Sequence, residues 1–323
     1  MFGSVESFWV DSAVLVGNRL GDAPRRRVDV YVPPAAQGAP LLVDLVGFSG
    51  GGPSHTNYKV LAETIPERID RLIAAGAMAP VAIAFPDCAT ALGGNQYIDS
   101  AGTGLWARFL IEECTPAVEA RYGVGGPGRR GVFGKSSGGH GAIVHGLLYG
   151  GAFWNAVACH SGDMGFELVY PGMFGAVART LDNHGRAIAQ FRAHVAGAKK
   201  LTRSDWDALN LLLQAASFDP PGDRLPWDLF DGGLNETAWA NWLAFDPVRL
   251  VETQWQNLAA LKALVIDCGA LDEYNLIFGA RRLNSRLKAL GVAHTYQEFP
   301  DAHGDIDYRV EVSLPILARA LAI

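Results

Sequence analysis

The sequence predicts an α/β fold: a mostly parallel sheet with helices on both faces. Three observations lead there. Strand-like apolar runs alternate with segments of helical periodicity up to about residue 160, and again after about 246. Runs such as Leu41–Val46 and Val81–Phe85 are apolar at nearly every position, as strands buried on both faces are. The chain has 323 residues, 49% hydrophobic and 19% charged, enough for one large domain carrying an insertion and too apolar for a disordered chain.

The elements follow in order. Val28-Asp29-Val30-Tyr31-Val32 alternates apolar and polar residues, as an antiparallel strand does, and Pro33-Pro34 ends it. After the strand at 41–46, Leu61, Ile65, Ile69, Leu72 and Ile73 share one helical face, with Gly76 as the stop. The strand at 81–85 is followed by a helix from about Leu105 to Arg121, ended by Gly123. Residues 131–133 are a short strand, 139–148 a helix and 156–159 a strand. From about 165 to 245 the rhythm stops, and the chain is helical but irregular and rich in aromatics. A strand at 263–266, a helix at 276–290, a strand at 294–299 and a terminal helix complete the chain. The predicted organisation is a core of residues 1–164 and 246–323, with 165–245 inserted as a helical cap, too long for a bare loop.

Charge and cysteine usage narrow the function classes. The net charge is −6 with no long basic run, which argues against a nucleic-acid partner. No apolar run is long enough for a membrane span, and the N-terminus lacks the basic and small-residue features of a secretory signal. Cys88, Cys114, Cys159 and Cys268 are widely spread and show no zinc spacing. They read as buried thiols of a cytoplasmic protein with no metal and no cofactor.

The chemistry is carried by Gly134-Lys135-Ser136-Ser137-Gly138, a G-x-S-x-G frame between a strand and a helix. A turn that tight forces the serine backbone into strain and leaves no room for side chains two positions either side. Ser136 is therefore the expected nucleophile. Centring the frame on Ser137 would put Lys135 where the first glycine belongs. A phosphate-binding loop is excluded because Arg129 stands where its first glycine is required. A serine nucleophile at such an elbow, the signature of the α/β-hydrolase fold, takes its acid and then its base from later strand ends. Asp272 and His303 occupy those places, with Asp267 and Glu273 as rivals for the acid; Asp267 is expected to make structural hydrogen bonds and Glu273 to begin the next helix. His140 and His145, in the helix after the elbow, read as packing residues. The oxyanion donors are expected to be the amides of Phe48, in the glycine-rich loop 47–52, and Ser137.

The run from Gly134 to Ile143 resembles the nucleophile segment of the esterase D (putative esterase) family of α/β-hydrolases. That family includes S-formylglutathione hydrolases, feruloyl and enterochelin esterases and antigen 85-type mycolyltransferases. Asp267–Tyr274 resembles the family's acid loop, and Asp301–Arg309 its histidine loop. The resemblance covers about 40–165 and 247–315 and is strongest to bacterial members with a long cap. It implies an α/β-hydrolase fold with acyl-transfer chemistry and places the acid at Asp272. Lys135 and the 47–52 loop depart from the S-formylglutathione hydrolase pattern, which leaves the substrate open.

The expected function is a serine hydrolase that cleaves carboxylic esters, and by extension thioesters, through an acyl-enzyme. An acyltransferase of the same fold and a non-catalytic ligand-binding member are the alternatives. Gly47, Ser49, Asn95, Gln96, Tyr97 and His160 lie in loops at strand ends and are the expected substrate contacts, although 95–97 serve equally well to stitch their loop to the core. The cap aromatics Phe166, Tyr170, Phe174, Trp206, Phe218, Trp227, Phe230, Trp239 and Trp242 read mainly as the cap's own core and otherwise as an apolar substrate pocket. The partner is a small-molecule ester, with a homodimer as the base-rate assembly.

Overall fold

The computed structural model describes residues 2–220 and 224–322. Ten strands are described: β1 (Ser4–Asp11), β2 (Arg25–Val32), β3 (Leu41–Leu45), β4 (Ala82–Pro86), β5 (Asp99–Ser100), β6 (Gly104–Leu105), β7 (Arg130–Lys135), β8 (Ala156–His160), β9 (Ala263–Gly269) and β10 (Thr295–Phe299). Eight of them form one sheet in the order β1-β2-β4-β3-β7-β8-β9-β10. Pairings β1–β2 and β2–β4 are antiparallel, and all others in this sheet are parallel. The mostly parallel sheet and its flanking helices match the α/β-hydrolase fold the sequence predicts.

The alternation of side chains across the sheet builds two cores. Leu42, Phe133, Ala158 and Val265 face one side and pack with α1 (Ile65–Ala74) and α11 (Val310–Leu321). Val43, Val132, Val157 and Ile266 face the other side. There they meet α3 (Thr115–Tyr122), α4 (Ser137–Tyr149), α9 (Pro247–Ala259) and α10 (Leu276–Ala289) through Val118, Ile143, Leu258 and Leu283. The strand order sets the place of the site. After β3 the chain moves to β4 on one side, and after β7 to β8 on the other, so the loops leaving β3 and β7 diverge over a crevice at the strand C-termini.

Three local expectations are corrected. Leu61 is not on the first helix: its φ is +60° and it is fully exposed. That helix begins after Thr64, whose hydroxyl and backbone form a reciprocal cap with Glu67. The helix expected at 105–121 is α2 (Trp106–Arg108), a π-helical stretch (Phe109–Cys114) and α3, ended as expected by Gly123 at φ +65°. Glu273 does not begin a helix; α10 starts at Leu276, behind Asn275 at φ +65°.

Between β8 and β9 run α5 (Phe166–Asp182), α6 (Ile188–Gly197), α7 (Arg203–Phe218), α8 (Glu236–Leu243) and α9. Asp246 ties the two ends of this excursion together. Its carboxylate accepts from the amides of Gly165 and Phe166, at the start of α5, and of Val248, at the start of α9. One side chain thus caps two helices whose N-termini are about eighty residues apart in sequence. Phe166, Phe218 and Trp242 are fully buried and pack with Tyr170, while Trp227 packs with Trp239 at 5.2 Å. Most of the segment's aromatics are therefore its own core, and Phe230 is exposed.

All four cysteines are buried free thiols. Among the described residues no helix is long and apolar enough to cross a membrane.

His140 and His145 are fully buried packing residues on α4. The Nε2 of His140 bonds the Phe245 carbonyl, and that of His145 the Tyr97 carbonyl, while His145 Nδ1 accepts from the Trp154 indole. Burial pushes both imidazoles down to about 4, against the partial opposition of their carbonyl partners. The unfolded chain, with ordinary histidines near 6.5, therefore takes up protons first as the pH falls. The stability these two residues contribute is complete above about pH 6.5 and is lost as the pH falls towards 4, at roughly 1 kcal/mol per pH unit for each. Denaturant unfolding of His145→Gln at several pH values should show a lower stability at pH 7 but a shallower decline between pH 6.5 and 4.5. A decline as steep as that of the unsubstituted protein would show that the buried His145 imidazole does not set this pH dependence.

Candidate active site

The site grows from the pairing of β3 with β7. Leu45 pairs with Gly134, so the residues that follow, 46–48 and 135–137, leave the sheet side by side. Ser136 turns the chain into α4 at φ +58°, ψ −125°, a conformation that side chains rarely adopt. The flanking glycines are required by space. A Cβ on Gly134 would lie 2.4 Å from the carbonyl oxygens of Leu45 and Gly138, and one on Gly138 would lie 1.7 Å from the Leu45 oxygen. The turn is tied down by Ser136 N–H donating to the His160 carbonyl at 3.0 Å and by His140 N–H donating to the Ser136 carbonyl at 2.8 Å.

The acid and histidine loops are joined before any side chain takes part. β9 and β10 pair through Gly269 and Phe299. Beyond them Ala270 N–H donates to the Phe299 carbonyl and Leu271 N–H to the Asp301 carbonyl. Gly269 permits this approach, because a Cβ there would meet the Asp301 oxygen at 2.4 Å. Asp272 Oδ2 lies 2.7 Å from His303 Nδ1, and His303 Nε2 lies 2.9 Å from Ser136 Oγ. A carboxylate oxygen only accepts, so Nδ1 carries the ring proton and Nε2 is left to accept from the serine hydroxyl. The other oxygen of Asp272 accepts from the Tyr274 amide at 3.0 Å, and Tyr274 presents its ring to His303 at 4.9 Å. Of the two rival carboxylates, Asp267 is buried between His160 and Arg309, and Glu273 accepts from the backbone N–H of His303. Neither bonds the His303 ring.

Phe48 and Ser137 stand beside this chain. In the 47–50 turn, Ser49 N–H donates to the Gly93 carbonyl and Gly50 N–H to the Gly47 carbonyl. Among the described residues the Phe48 N–H finds no acceptor. Ser137 opens α4, where first-turn amides lack helical acceptors. A Cβ on Gly47 would sit 3.3 Å from the Ser136 Cβ, a measure of how closely the loop approaches the serine.

Gly47, Phe48, Ser49, Ser136 and His303 border a cavity of about 540 Å³. Val169, Tyr170 and Met173 of α5, Trp206 and Asn210 of α7, and Tyr274 wall it. Four expected substrate contacts are elsewhere. Asn95 donates to the Cys88 carbonyl and accepts from Tyr97 N–H, and the Tyr97 hydroxyl donates to the Val46 carbonyl. Gln96 donates to the Ser137 hydroxyl. All three are buried and stitch their loop to the core, and none borders the cavity. His160 is also buried, with Nδ1 on Asp267 and Nε2 on the Ser313 hydroxyl, so both ring nitrogens are committed away from the cavity.

Asp163 and Lys135 are among the cavity residues that were not singled out from sequence. Asp163 follows β8, at the kind of strand end that the topology sends to the site. Burial pushes its carboxyl up to about 6, although His303, when it carries a proton on both nitrogens, and the Tyr170 hydroxyl, 3.3 Å away, favour the ionised form. Lys135 lies inside the motif itself, and burial lowers its pKa against the pull of Asp307, Asp305 and Asp272. Among the described residues, the one group of three or more His, Cys, Asp or Glu side chains whose ligand atoms lie within 4.8 Å of one another is His184, His194 and Asp205, none of which borders this cavity.

Many solved structures match this fold. A ferulic acid esterase superposes with a TM-score of 0.61 at 19% identity, covering 98% of both chains. An S-formylglutathione hydrolase from Agrobacterium tumefaciens gives 0.60 at 16% identity, over 99% of this chain and 96% of that one. The fluorophosphonate-binding serine hydrolase FphF of Staphylococcus aureus gives 0.60 at 13% identity, over 98% of each. No curated protein matches the chain in sequence. The family model described as "Putative esterase" matches residues 23–312, nearly the whole chain and all of the cavity residues named above. The chain therefore belongs to the Putative esterase family and is an ester-hydrolysing enzyme of carboxylesterase type.

Proposed function

We propose that the enzyme is a serine esterase working through an acyl-enzyme on Ser136, with His303 as the base and Asp272 as its orienting carboxylate. One observation carries this reading: a strained, half-buried hydroxyl, an imidazole and a buried carboxylate form an unbroken chain at 2.9 and 2.7 Å. Ser136 Oγ attacks the acyl carbon as its proton passes to His303 Nε2. The carbonyl oxygen, now negative, accepts from the amides of Phe48 and Ser137. His303 returns the proton to the departing oxygen, which leaves as the alcohol. Water then repeats the sequence on the acyl-serine and releases the acid. The same steps serve a thioester, where sulfur leaves in place of oxygen.

Residues 165–245 act as a cap. Val169, Tyr170, Met173 and Trp206 offer an apolar, partly aromatic wall to the substrate, and the cavity volume suits a small-molecule ester. Asp163 adds a negative charge near His303 once it ionises, which favours the imidazolium formed in the transition state.

With an activated aryl acetate, Ser136→Ala should lower kcat by about ten-thousand-fold or more while the protein stays folded. Asp272→Asn should lose about as much, because the ring is then held in the wrong tautomer. Glu273→Gln should change kcat by only a few fold. Unchanged turnover in Ser136→Ala would remove that residue from the mechanism.

The Asp163 carboxyl protonates as the pH falls through about 6. Asp163→Asn fixes the neutral form, so its kcat/KM should approach that of the unsubstituted enzyme at pH 5 and fall several-fold below it at pH 8. A ratio of the two enzymes that stays constant across this range would show that the Asp163 charge plays no part.

A further inference from the structure

A second recess, of about 510 Å³, opens among the helices between β8 and β9. Three side chains converge there, one from the turn after α5 and one each from α6 and α7. His184 lies just beyond α5, His194 is in the last turn of α6, and Asp205 is in the first turn of α7. Their ligand atoms all lie within 4.8 Å of one another. We propose that His184, His194 and Asp205 form a binding site for a divalent transition-metal ion of the zinc type, which joins these three helices.

The donor set selects the metal class. Two imidazole nitrogens and one carboxylate oxygen suit Zn²⁺, Co²⁺ or Ni²⁺, whereas Mg²⁺ and Ca²⁺ prefer oxygen alone. One pair of ligand atoms already has the spacing of a coordination shell. Metal–ligand bonds of about 2.0–2.2 Å put neighbouring tetrahedral ligands about 3.4 Å apart. His194 Nε2 and Asp205 Oδ1 already stand at 3.5 Å. The rings of His184 and His194 lie 4.6 Å apart with planes 35° from parallel, and the His184 ligand nitrogen stands within 4.8 Å of both other ligand atoms.

The carboxylate is also held from behind. Asp205 Oδ2 accepts from the backbone N–H and the hydroxyl of Thr202, each at 2.8 Å, which fixes its plane and leaves Oδ1 towards His194. Such outer-shell bonds orient metal ligands in established sites. Phe191, fully buried, packs edge-on against His184 at 5.4 Å. The recess supplies an entry path and room for water to complete the shell. Arg179 and Lys200 border the same recess, and their charge sets the affinity below that of a closed four-ligand site.

A metal here would reach the substrate cavity indirectly. Both α5 and α7 carry residues on each recess: Val169, Tyr170 and Met173 or Trp206 and Asn210 on one, Thr180 or Asp205 on the other. Bound metal therefore stiffens the walls of the cavity without touching Ser136.

The test uses tag-free, chelator-treated protein titrated with Co²⁺ and followed by visible absorption, with equilibrium dialysis against Zn²⁺. One Co²⁺ per chain, displaced by Zn²⁺ and accompanied by a higher Tm, is expected. His184→Ala and His194→Gln should each weaken binding by about tenfold or more, and metal-free His194→Gln should keep the basal esterase activity, which shows that it is folded. No bound Co²⁺ at saturating concentration, or unchanged affinity in both variants, would overturn the proposal.

Discussion

The positive φ of Ser136 is the constraint on which the site depends. It is bearable because Gly134 and Gly138 leave space that a methyl group would fill with carbonyl oxygens of the neighbouring turn and strand. That turn sets three things at once. It turns the chain out of the sheet at Ser136, it starts α4 directly after the serine, and it brings the β3 loop within van der Waals distance of the serine. Any loosening of the β3–β7 pair would spoil all three, because Leu45 contacts both glycines of the frame.

The histidine and the acid reach the serine by a separate route. Pairing between β9 and β10 continues as backbone hydrogen bonds between their loops, so Asp272 and His303 are set relative to each other before either meets Ser136. Behind them, Asp267, His160, Arg309 and Ser313 form a buried polar lattice linking β8, β9 and α11. This lattice explains why polar residues so near the chemistry take no part in the cavity: their hydrogen bonds are spent on fixing the platform.

The sheet and the serine turn were legible in the sequence because their signals are local. Glycine at 134 and 138, apolar runs at β3, β4 and β8, and Gly123 after a helix each follow from backbone geometry over a few residues. The strand ends also pointed to the loops that carry Asp272 and His303, although spacing left Asp267 and Glu273 as rivals for the acid. Burial was less legible. Asn95, Gln96, Tyr97 and His160 are polar and sit at strand ends, as substrate contacts do, but tertiary packing turns them inward. Leu61 fits a helical face by spacing, yet the Thr64–Glu67 cap starts the helix later. The cavity walls were the hardest part. Which residues of α5 and α7 face Ser136 depends on how those helices cross, and nothing in their own periodicity states that.

The proposed chemistry requires that contact with His303 activates the Ser136 hydroxyl. The most direct measurement is to treat the enzyme with a fluorophosphonate, follow the loss of esterase activity, and locate the adduct by peptide mass spectrometry. One adduct per chain is expected, on Ser136, formed in step with inactivation and absent in His303→Ala. An adduct on another residue, or full labelling of Ser136 when the imidazole is gone, would contradict that requirement.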